Sequence, residues 1–385
     1  MIFNSPQQIM HGLGCLNENT FKLSKLNLNR VLIITDSNIL KVGIIAKVTD
    51  LLLDSDITIF SDIPPEPALE DLVACVDVIK KGNFDCIVAI GGGSVLDVAK
   101  AGRVCAKSNK TIEELFGENL VDNAGIPLIA IPTTAGTGSE CTAISIFSVG
   151  DMKKGIVSKY LLPELSIVSP EMTLSCPPNI TAASGVDALV HAIESYTSNN
   201  ATPMTDALAI KAVSLIANSI VKAYTYPDDL AARESMATGS MLAGLSFGNA
   251  GVGAVHALAY PLGGKYHLPH GVSNALLLPF VLKYNITLST LVKFTDIAEA
   301  MGLETPADDM SDKGKLHHVS ETLISHLHGL CRAVNIPEKI SDLVPLEDID
   351  VEYMTTEAMK VERLLRNNPY KMTHDDVRSI YLATV

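Results

Sequence analysis

The chain has 385 residues, of which 47% are hydrophobic and 19% charged, and its formal net charge is −14. This composition is typical of a globular protein with a large core and excludes a disordered chain. The acidic balance argues against nucleic acid or an anionic membrane as a partner. We find no apolar run of about 18 residues and no secretory signal, so we predict no membrane span. Seven scattered cysteines without a CxxC pair indicate reduced thiols and a cytoplasmic protein.

The first half of the chain alternates between strand and helix patterns. Short apolar runs predict buried parallel strands at residues 30–36, 57–62, 85–90 and 127–131. Helical patterns lie between them, at residues 44–53, at residues 64–82 and from Gly93 onward. This alternation, with glycines at the strand ends, predicts an α/β fold with a doubly wound, Rossmann-like parallel sheet.

The second half has a different character. From about residue 181 the pattern is helical and rich in alanine, and no convincing strand pattern follows residue 180. Two prolines, Pro177 and Pro178, interrupt the chain just before this change. We therefore predict an α/β domain over residues 1–178 and an all-helical domain over residues 179–385.

A glycine-rich loop, Gly91 to Ser94, follows a predicted strand and opens a predicted helix. Glycines there allow positive φ and a close approach of the backbone to an anion, and the helix start offers free N–H groups. Leu96 stands where the GxGxxG motif has its third glycine, so a tight turn without a ligand is an equal alternative. Hydroxyls on a second strand end would complete a crevice suited to a dinucleotide: Thr133, Thr134, Thr137 and Ser139.

Two acidic residues near these loops have two interpretations each. Asp36 follows the first strand, where a carboxylate binds a ribose 2′-hydroxyl and repels a 2′-phosphate, or is simply a turn residue. Asp97 lies in the first helical turn, either as a cofactor contact or as a surface acid favoured by the helix dipole.

A candidate metal site begins with Asp187 and His191, which a helix would place on one face because they are four residues apart. Apolar neighbours indicate that the pair is buried, although such pairs are also common on helix surfaces. Three further histidines fall in one short segment, at His256, His267 and His270. One carboxylate and several imidazoles suit a cation such as Fe²⁺ or Zn²⁺.

Four motifs in this order, GGGSVLDVAK, IPTTAGTGSE, GVDALVHAIE and AVHALAYPLGG…PHGVSNA, resemble the iron-containing (group III) alcohol dehydrogenases, and the likeness runs through nearly the whole chain. The resemblance implies a dehydroquinate synthase-like architecture, with a dinucleotide-binding α/β domain, a metal-binding, catalytic helical domain and a cleft between them for cofactor and metal. It implies metal ligands at Asp187, His191, His256 and His270. It implies cofactor contacts at Asp36, Gly92, Gly93, Ser94, Asp97, Thr133, Thr134, Thr137, Thr142 and Lys153.

The sequence also departs from the family pattern. Tyr260 stands where many members have a histidine, four residues after the third ligand. We expect His267 to relay the proton in its place and the Tyr260 hydroxyl to orient substrate or water, although a loop histidine without a role is the alternative. Ser169 replaces an acid, and Glu66 stands where an asparagine is frequent. We assign no role to Glu194, which we expect to be a surface or packing residue.

The resemblance implies a metal-dependent oxidoreductase that transfers hydride between a small primary or secondary alcohol, or its aldehyde or ketone, and NAD(P), while the metal polarises the oxygen. A glycerol dehydrogenase-like polyol oxidase and a dehydroquinate synthase-like lyase are the alternatives. We expect NAD rather than NADP because Asp36 would repel a 2′-phosphate, and Fe²⁺ as the metal with Zn²⁺ as the alternative. The resemblance also implies a homodimer or higher homo-oligomer.

Overall fold

The computed structural model describes residues 2–150 and 152–385. Two compact units make up the chain, the first ending at Cys176 and the second beginning at Pro177. The first unit contains a six-stranded parallel sheet, which confirms the predicted fold class. Its strands, in the spatial order β1-β9-β6-β4-β2-β3, are β1 (Gln8–His11), β9 (Leu165–Val168), β6 (Leu128–Pro132), β4 (Cys86–Gly91), β2 (Arg30–Ile34) and β3 (Asp56–Phe60).

The α-helices of this unit lie, in the part of the chain that the structure describes, between these strands in sequence. They are α1 (Thr20–Ser24), α2 (Ser37–Val42), α3 (Ala46–Thr49), α4 (Leu69–Lys81) and α5 (Gly93–Cys105). Short 3-10 helices lie at Glu113–Leu115, Ser139–Cys141, Lys159–Leu161 and Pro170–Met172.

The sheet buries both of its faces, because successive side chains of a strand point to opposite sides. Leu32 and Ile34 of β2 join a core cluster that includes residues of α4 and α5. Val31 and Ile33, the alternate residues, join a second cluster with Phe21 and residues of α3. Continuous apolar runs such as 30–36 are therefore explained by burial on two sides.

The strand order reverses beside β2, because β3 pairs with one edge of β2 and β4 pairs with the other. Ligands of open α/β sheets bind at such a switch point, outside the carboxyl ends of the strands. Asp36 follows β2, and the glycine loop follows β4. The Thr35 hydroxyl donates to the Ile90 carbonyl at 2.8 Å and links the two strand ends.

The prediction of one helix over residues 44–53 was wrong. Residues 44–53 form only α3, flanked by turns in which the N–H of one residue bonds the carbonyl three residues earlier, as Leu52 does to Thr49. Gly43 ends α2 in the left-handed conformation, and β-branched Val48 and Thr49 disfavour a longer helix. The apolar periodicity of this stretch reflects turns packed on the sheet.

A second, three-stranded sheet was missed by the sequence patterns. It consists of β5 (Gly117–Glu118), β7 (Ile144–Val149) and β8 (Met152–Val157). β7 and β8 are antiparallel, and Gly150 after β7 has φ +60, as hairpin turns require. The adjacent lysines Lys153 and Lys154 and the following Gly155 interrupt the apolar pattern of β8 and weakened its strand signal.

The second unit is helical throughout its described length, as predicted. Its helices are α6 (Pro178–Thr197), α7 (Pro203–Ala217), α8 (Ile220–Thr225), α9 (Leu230–Ala250), α10 (Ala254–Tyr266), α11 (His270–Asn285), α12 (Leu291–Ala300), α13 (Asp312–Ala333), α14 (Val351–Met359), α15 (Glu362–Leu365) and α16 (His374–Thr384). Short 3-10 helices lie at Ile340–Asp342 and Leu346–Asp348.

Helix α6 lies at the centre of this unit and contacts α7, α8, α9 and α11. It begins with Pro178 at its first turn, where a missing N–H is harmless. In the second half of α6 the side chains on all faces are buried, which is typical of a core helix. Among the described residues no single helix has the length and apolarity of a membrane span, although α9 and α10 pass that test as a pair bent by 101°.

Candidate metal centre and nucleotide loop

The candidate metal centre starts on α6, where Asp187 and His191 are only 2% and 5% exposed. A buried carboxylate is costly unless it is paired with a cation or with hydrogen-bond donors. Helix α10 adds His256, which is 3% exposed, and His270 is the first residue of α11. Only His270 has a substantial exposed fraction, 37% of its side chain.

Four ligand atoms, one from each of these residues, lie within 4.8 Å of one another. From the Asp187 carboxylate oxygens, the nearest ring nitrogens are 3.8 Å away in His191, 3.9 Å in His256 and 3.8 Å in His270. These separations are too long for hydrogen bonds. They suit atoms that each bind, at about 2 Å, one ion placed between them.

The donor chemistry fits a metal at His256 in particular. Its Nε2 is buried and has no hydrogen-bond partner among the described residues. Its Nδ1 lies 2.6 Å from Glu194 Oε2. A carboxylate acceptor at Nδ1 places the ring proton there, so that the Nε2 lone pair faces the cluster.

Asp187 is held as an anion by the same cluster. Burial raises the pKa of its carboxyl, but the imidazoles of His191, His270 and His256 and the Asn274 amide outweigh burial and hold the pKa below its usual value. Asn274 Nδ2 donates to Asp187 Oδ1 at 2.7 Å.

Sequence reasoning missed the residues that support the ligands. Glu194 was expected to be a surface or packing residue, but it is buried, and its Oε1 also accepts from the Val255 N–H at 2.6 Å. The signal was present, because Glu194 follows Asp187 by seven residues and therefore shares its helix face. Phe247 stacks on the His191 ring at 4.2 Å between centroids. No spacing pattern pointed to Phe247.

The closing NNPYK segment of the chain also supports the centre. Asn368 Oδ1 accepts from the Ala254 N–H at 3.2 Å and from Asn285 Nδ2 at 3.0 Å. A Cβ at Gly253 would lie 2.9 Å from this oxygen and 3.2 Å from Glu194 Oε1. Gly253 therefore lets the start of α10 approach its two supporting side chains.

Each of the two predicted catalytic residues lies close in sequence to a candidate metal ligand. Tyr260 is half-buried, one helical turn after His256 on α10. His267 ends α10 in the left-handed conformation, with φ +55, and its side chain is exposed. It therefore lies at a helix end, three residues before His270.

The glycine loop lies in the first unit at the carboxyl end of β4, and β6 pairs beside it with Gly91 opposite Pro132. A Cβ at Gly91 would lie 2.6 Å from Val95, and one at Gly93 would lie 2.6 Å from Thr137. Close packing therefore selects these glycines. The positive φ that we expected is absent, because the described left-handed glycines do not include residues 91–93.

Thr133 follows β6, and Ser94 lies in the first turn of α5 after β4, where the sequence predicted a crevice. Thr133 is 2% exposed, and its Oγ1 has no hydrogen-bond partner among the described residues. Gly92 caps α5, and Thr134 lies 3.5 Å from the position of its missing Cβ. The free N–H groups of the 13-residue helix α5 complete the polar surface.

Two residues predicted to contact the cofactor, Asp97 and Thr142, form hydrogen bonds with other residues of the chain. Asp97 accepts from the Ser139 hydroxyl at 2.5 Å and from the Ile146 N–H at 2.8 Å. Thr142 Oγ1 lies 3.1 Å from Nζ of Lys100, a fully buried lysine that we had not considered. Both side chains therefore join α5 to β7 and to the turn before it.

Asp36 and Lys153 also have partners. Asp36 caps α2, and its Oδ1 accepts from the N–H groups of Asn38 at 2.8 Å and Ile39 at 3.0 Å. Lys153 Nζ lies 2.6 Å from Glu66 Oε2. Asp36 nevertheless follows β2 at the switch point of the sheet.

Comparison with known proteins identifies the family. The model "Iron-containing alcohol dehydrogenase" matches residues 6–170, and the model "Fe-containing alcohol dehydrogenase family, C-terminal" matches residues 181–385. Long-chain-alcohol dehydrogenase 1 of Geobacillus thermodenitrificans is 39% identical over 382 residues, 97% of this chain and 93% of that protein. The NAD-dependent methanol dehydrogenase of Bacillus methanolicus is 34% identical over 387 residues, 98% of each. A 1,3-propanediol oxidoreductase structure has a TM-score of 0.91 at 33% identity, covering 100% of this chain and 99% of that one.

These likenesses extend over both units and confirm the predicted reaction class, an oxidoreductase of alcohols that uses NAD and a divalent metal. They favour it over the polyol oxidase and the lyase that the sequence left as alternatives. The chain belongs to the iron-containing alcohol dehydrogenase family.

Proposed function

We propose that the chain interconverts small primary or secondary alcohols with their aldehydes or ketones, with Fe²⁺ held by Asp187, His191, His256 and His270. The observation that carries this proposal is the buried cluster of four ligand atoms within 4.8 Å. When bound, a divalent cation polarises the alcohol or carbonyl oxygen. The exposed edge at His270 offers the substrate a way to the cluster.

The chain's own residues prepare this site. Asp187 stays ionised, since the imidazoles and Asn274 outweigh the effect of burial on its pKa. Glu194 holds the proton of His256 on Nδ1 and keeps Nε2 available as a ligand. Phe247 lies against one face of the His191 ring, fixing its orientation and excluding water there.

We further propose that residues 1–178 form the dinucleotide-binding domain and that residues 179–385 form the catalytic domain. When bound, NAD carries the hydride. The N-terminus of α5 with Gly92, Gly93 and Ser94 suits its pyrophosphate, and the Thr133 hydroxyl is available at the adjacent strand end. Asp36 would favour NAD over NADP, and Asp36→Gly would then relax that preference in paired assays with both cofactors.

His267 is our proposed proton relay, and Tyr260 is proposed to orient substrate or water. The exposed imidazole three residues before His270 supports this role. His267→Asn is the appropriate variant, because asparagine tolerates the left-handed backbone and does not titrate. We expect turnover to fall by about 10²–10⁴ with unchanged metal content. Full turnover with an unchanged pH profile would leave His267 without a role.

Two coarser features complete the proposal. All seven cysteines are free thiols, six of them buried, which supports a reducing compartment such as the cytoplasm. A homodimer or higher homo-oligomer is proposed from the family resemblance alone, and light scattering of the purified protein tests it.

An alcohol and aldehyde panel tests the function directly. NADH absorbance would be followed for unbranched and branched substrates, and the metal content of the same sample would be measured. We expect turnover that disappears after chelation and returns when Fe²⁺ is added back. Turnover that is indifferent to chelation, with metal verified as removed, would contradict the proposal.

A further inference from the structure

Glu66 stands in a strained position beside the glycine loop. Its φ of +51 lies in the left-handed region, which non-glycine residues enter at a cost. Its backbone N–H donates to Ser94 Oγ at 3.2 Å, in the first turn of α5. The backbone of an acidic residue is therefore held next to the helix end that suits an anion.

The Glu66 carboxylate is paired with Lys153 of β8. Lys153 Nζ lies 2.6 Å from Glu66 Oε2 and 2.8 Å from Ser148 Oγ. The lysine side chain is 13% exposed and the glutamate side chain 34% exposed, so water screens the pair only in part. The Ser148 N–H also donates to the Pro67 carbonyl at 3.0 Å, which fixes the Glu66 loop against β7.

This arrangement opposes the binding of an anion at the loop. The start of α5 offers N–H groups and the positive end of the helix dipole, which favour a pyrophosphate. The nearby cation, Lys153, is already neutralised by Glu66, and the carboxylate itself repels negative charge.

We propose that Glu66 is a cofactor-binding determinant that lowers the affinity of the loop for the cofactor pyrophosphate, because its carboxylate pairs with the Lys153 ammonium. The inference rests on the proposed NAD site. Its consequence is easier release of the cofactor, and release of a bound product limits turnover in many enzymes. The strain at Glu66 is consistent with a position retained for function.

Binding measurements with Glu66→Gln test the proposal, because glutamine keeps the length and hydrogen-bonding capacity of the side chain without its charge. The dissociation constants of NADH and of ADP-ribose, which has the pyrophosphate but no nicotinamide, would be measured at low and high salt. We expect both ligands to bind roughly three- to tenfold more tightly at low salt. The gain should shrink at high salt, and adenosine, which has no phosphate, should show none.

Lys153→Met completes a double-mutant cycle. It should weaken ADP-ribose binding little in the wild type, where Glu66 holds the lysine, and roughly three- to tenfold in the Glu66→Gln background. Glu70→Gln is the matched control, since Glu70 is an exposed acid in the first turn of α4 with no ion pair among the described residues. It should leave both affinities unchanged.

Three outcomes would contradict the proposal. Unchanged or weaker ADP-ribose binding in Glu66→Gln would show that the pair is only structural, and so would equal effects of Lys153→Met in both backgrounds. A wild type that binds neither NADH nor ADP-ribose would instead contradict the NAD site and this inference together.

Discussion

Each unit of the molecule buries a charged side chain on a core helix, but the two side chains have different polar neighbours. Lys100 on α5 is surrounded by oxygen atoms: the Ser139 carbonyl at 2.9 Å, Thr142 Oγ1 at 3.1 Å, Asp97 Oδ1 at 3.2 Å and the Ile144 carbonyl. Asp187 on α6 faces imidazole nitrogens at distances beyond hydrogen bonding, and His256 Nε2 has no hydrogen-bond partner among the described residues.

These different surroundings indicate that one buried charge stabilises the fold and that the other belongs to a ligand-binding site. A buried charge that the protein satisfies with its own groups contributes to a unique fold, and breaking it is costly. A buried cluster with an unmet acceptor is suited to a ligand that supplies the missing charge. Lys100 should therefore matter for stability and not for metal, whereas the ligands and supports of Asp187 should matter for metal.

Lys100→Met gives the largest expected effect on stability. Methionine preserves the length of the side chain but leaves Asp97 and two carbonyls without their cation. Removing one partner of a buried charged network typically costs about 3–5 kcal/mol. Urea unfolding measures this loss, while the metal content of the folded protein should match that of the wild type. A loss below about 1 kcal/mol would mean that Lys100 is not the anchor described here.

Glu140, beside Lys100, predicts a pH dependence of stability. Burial raises the pKa of its carboxyl to about 7 from 4.5, although a backbone hydrogen bond and Lys100 lower it in part. The folded state thus keeps a proton that the unfolded state releases, so its stabilising contribution is full below pH 4.5 and is lost as pH rises to about 7.

Glu140→Gln should remove this loss. Its unfolding free energy relative to wild type should rise by up to about 3 kcal/mol between pH 4.5 and pH 8. Urea titrations at both pH values provide the measurement, and Asp122→Asn, at an exposed acid of the same unit, is the control. Parallel curves for wild type and Glu140→Gln would refute the assignment.

Glu194→Gln gives the smallest expected effect and tests the support of the metal centre. The Val255 N–H always donates, so the single amide oxygen must face it, and the amide N–H₂ then faces His256 Nδ1. The ring proton moves to Nε2, the atom needed for the metal. We expect metal affinity to fall by about 10–100-fold, measured by competition with a chelator, with an unchanged unfolding midpoint of the metal-free protein. An affinity equal to that of wild type would contradict the tautomer argument.

Sequence alone predicted much of this architecture, because apolar runs and glycine loops report local structure. The strand at residues 30–36 and the helix after Gly93 were confirmed. The segment at residues 44–53 was not, since periodicity cannot distinguish a helix from successive turns packed on a sheet. The hairpin of β7 and β8 was missed, although the Gly150 turn between its strands was a usable signal.

The residues of the candidate site were likewise only partly predictable from local sequence patterns. Asp187 and His191 were recognisable from their spacing, and Glu194 was recoverable from the same helix face. Phe247 and Asn368 reach the centre only through tertiary packing, from α9 and from the closing segment, so no local pattern predicted them. Lys100 was overlooked because a lysine in a helix is ordinarily exposed.

The metal content of His256→Ala tests the central claim most directly, because His256 Nε2 is a buried ligand atom of the cluster with no hydrogen-bond partner among the described residues. Wild type, His256→Ala and Lys100→Met would be prepared in parallel with Fe²⁺ and analysed for metal per folded chain. The account predicts about one ion in wild type and Lys100→Met and close to none in His256→Ala, with turnover reduced roughly 10³-fold or more. Undiminished metal in His256→Ala would contradict it.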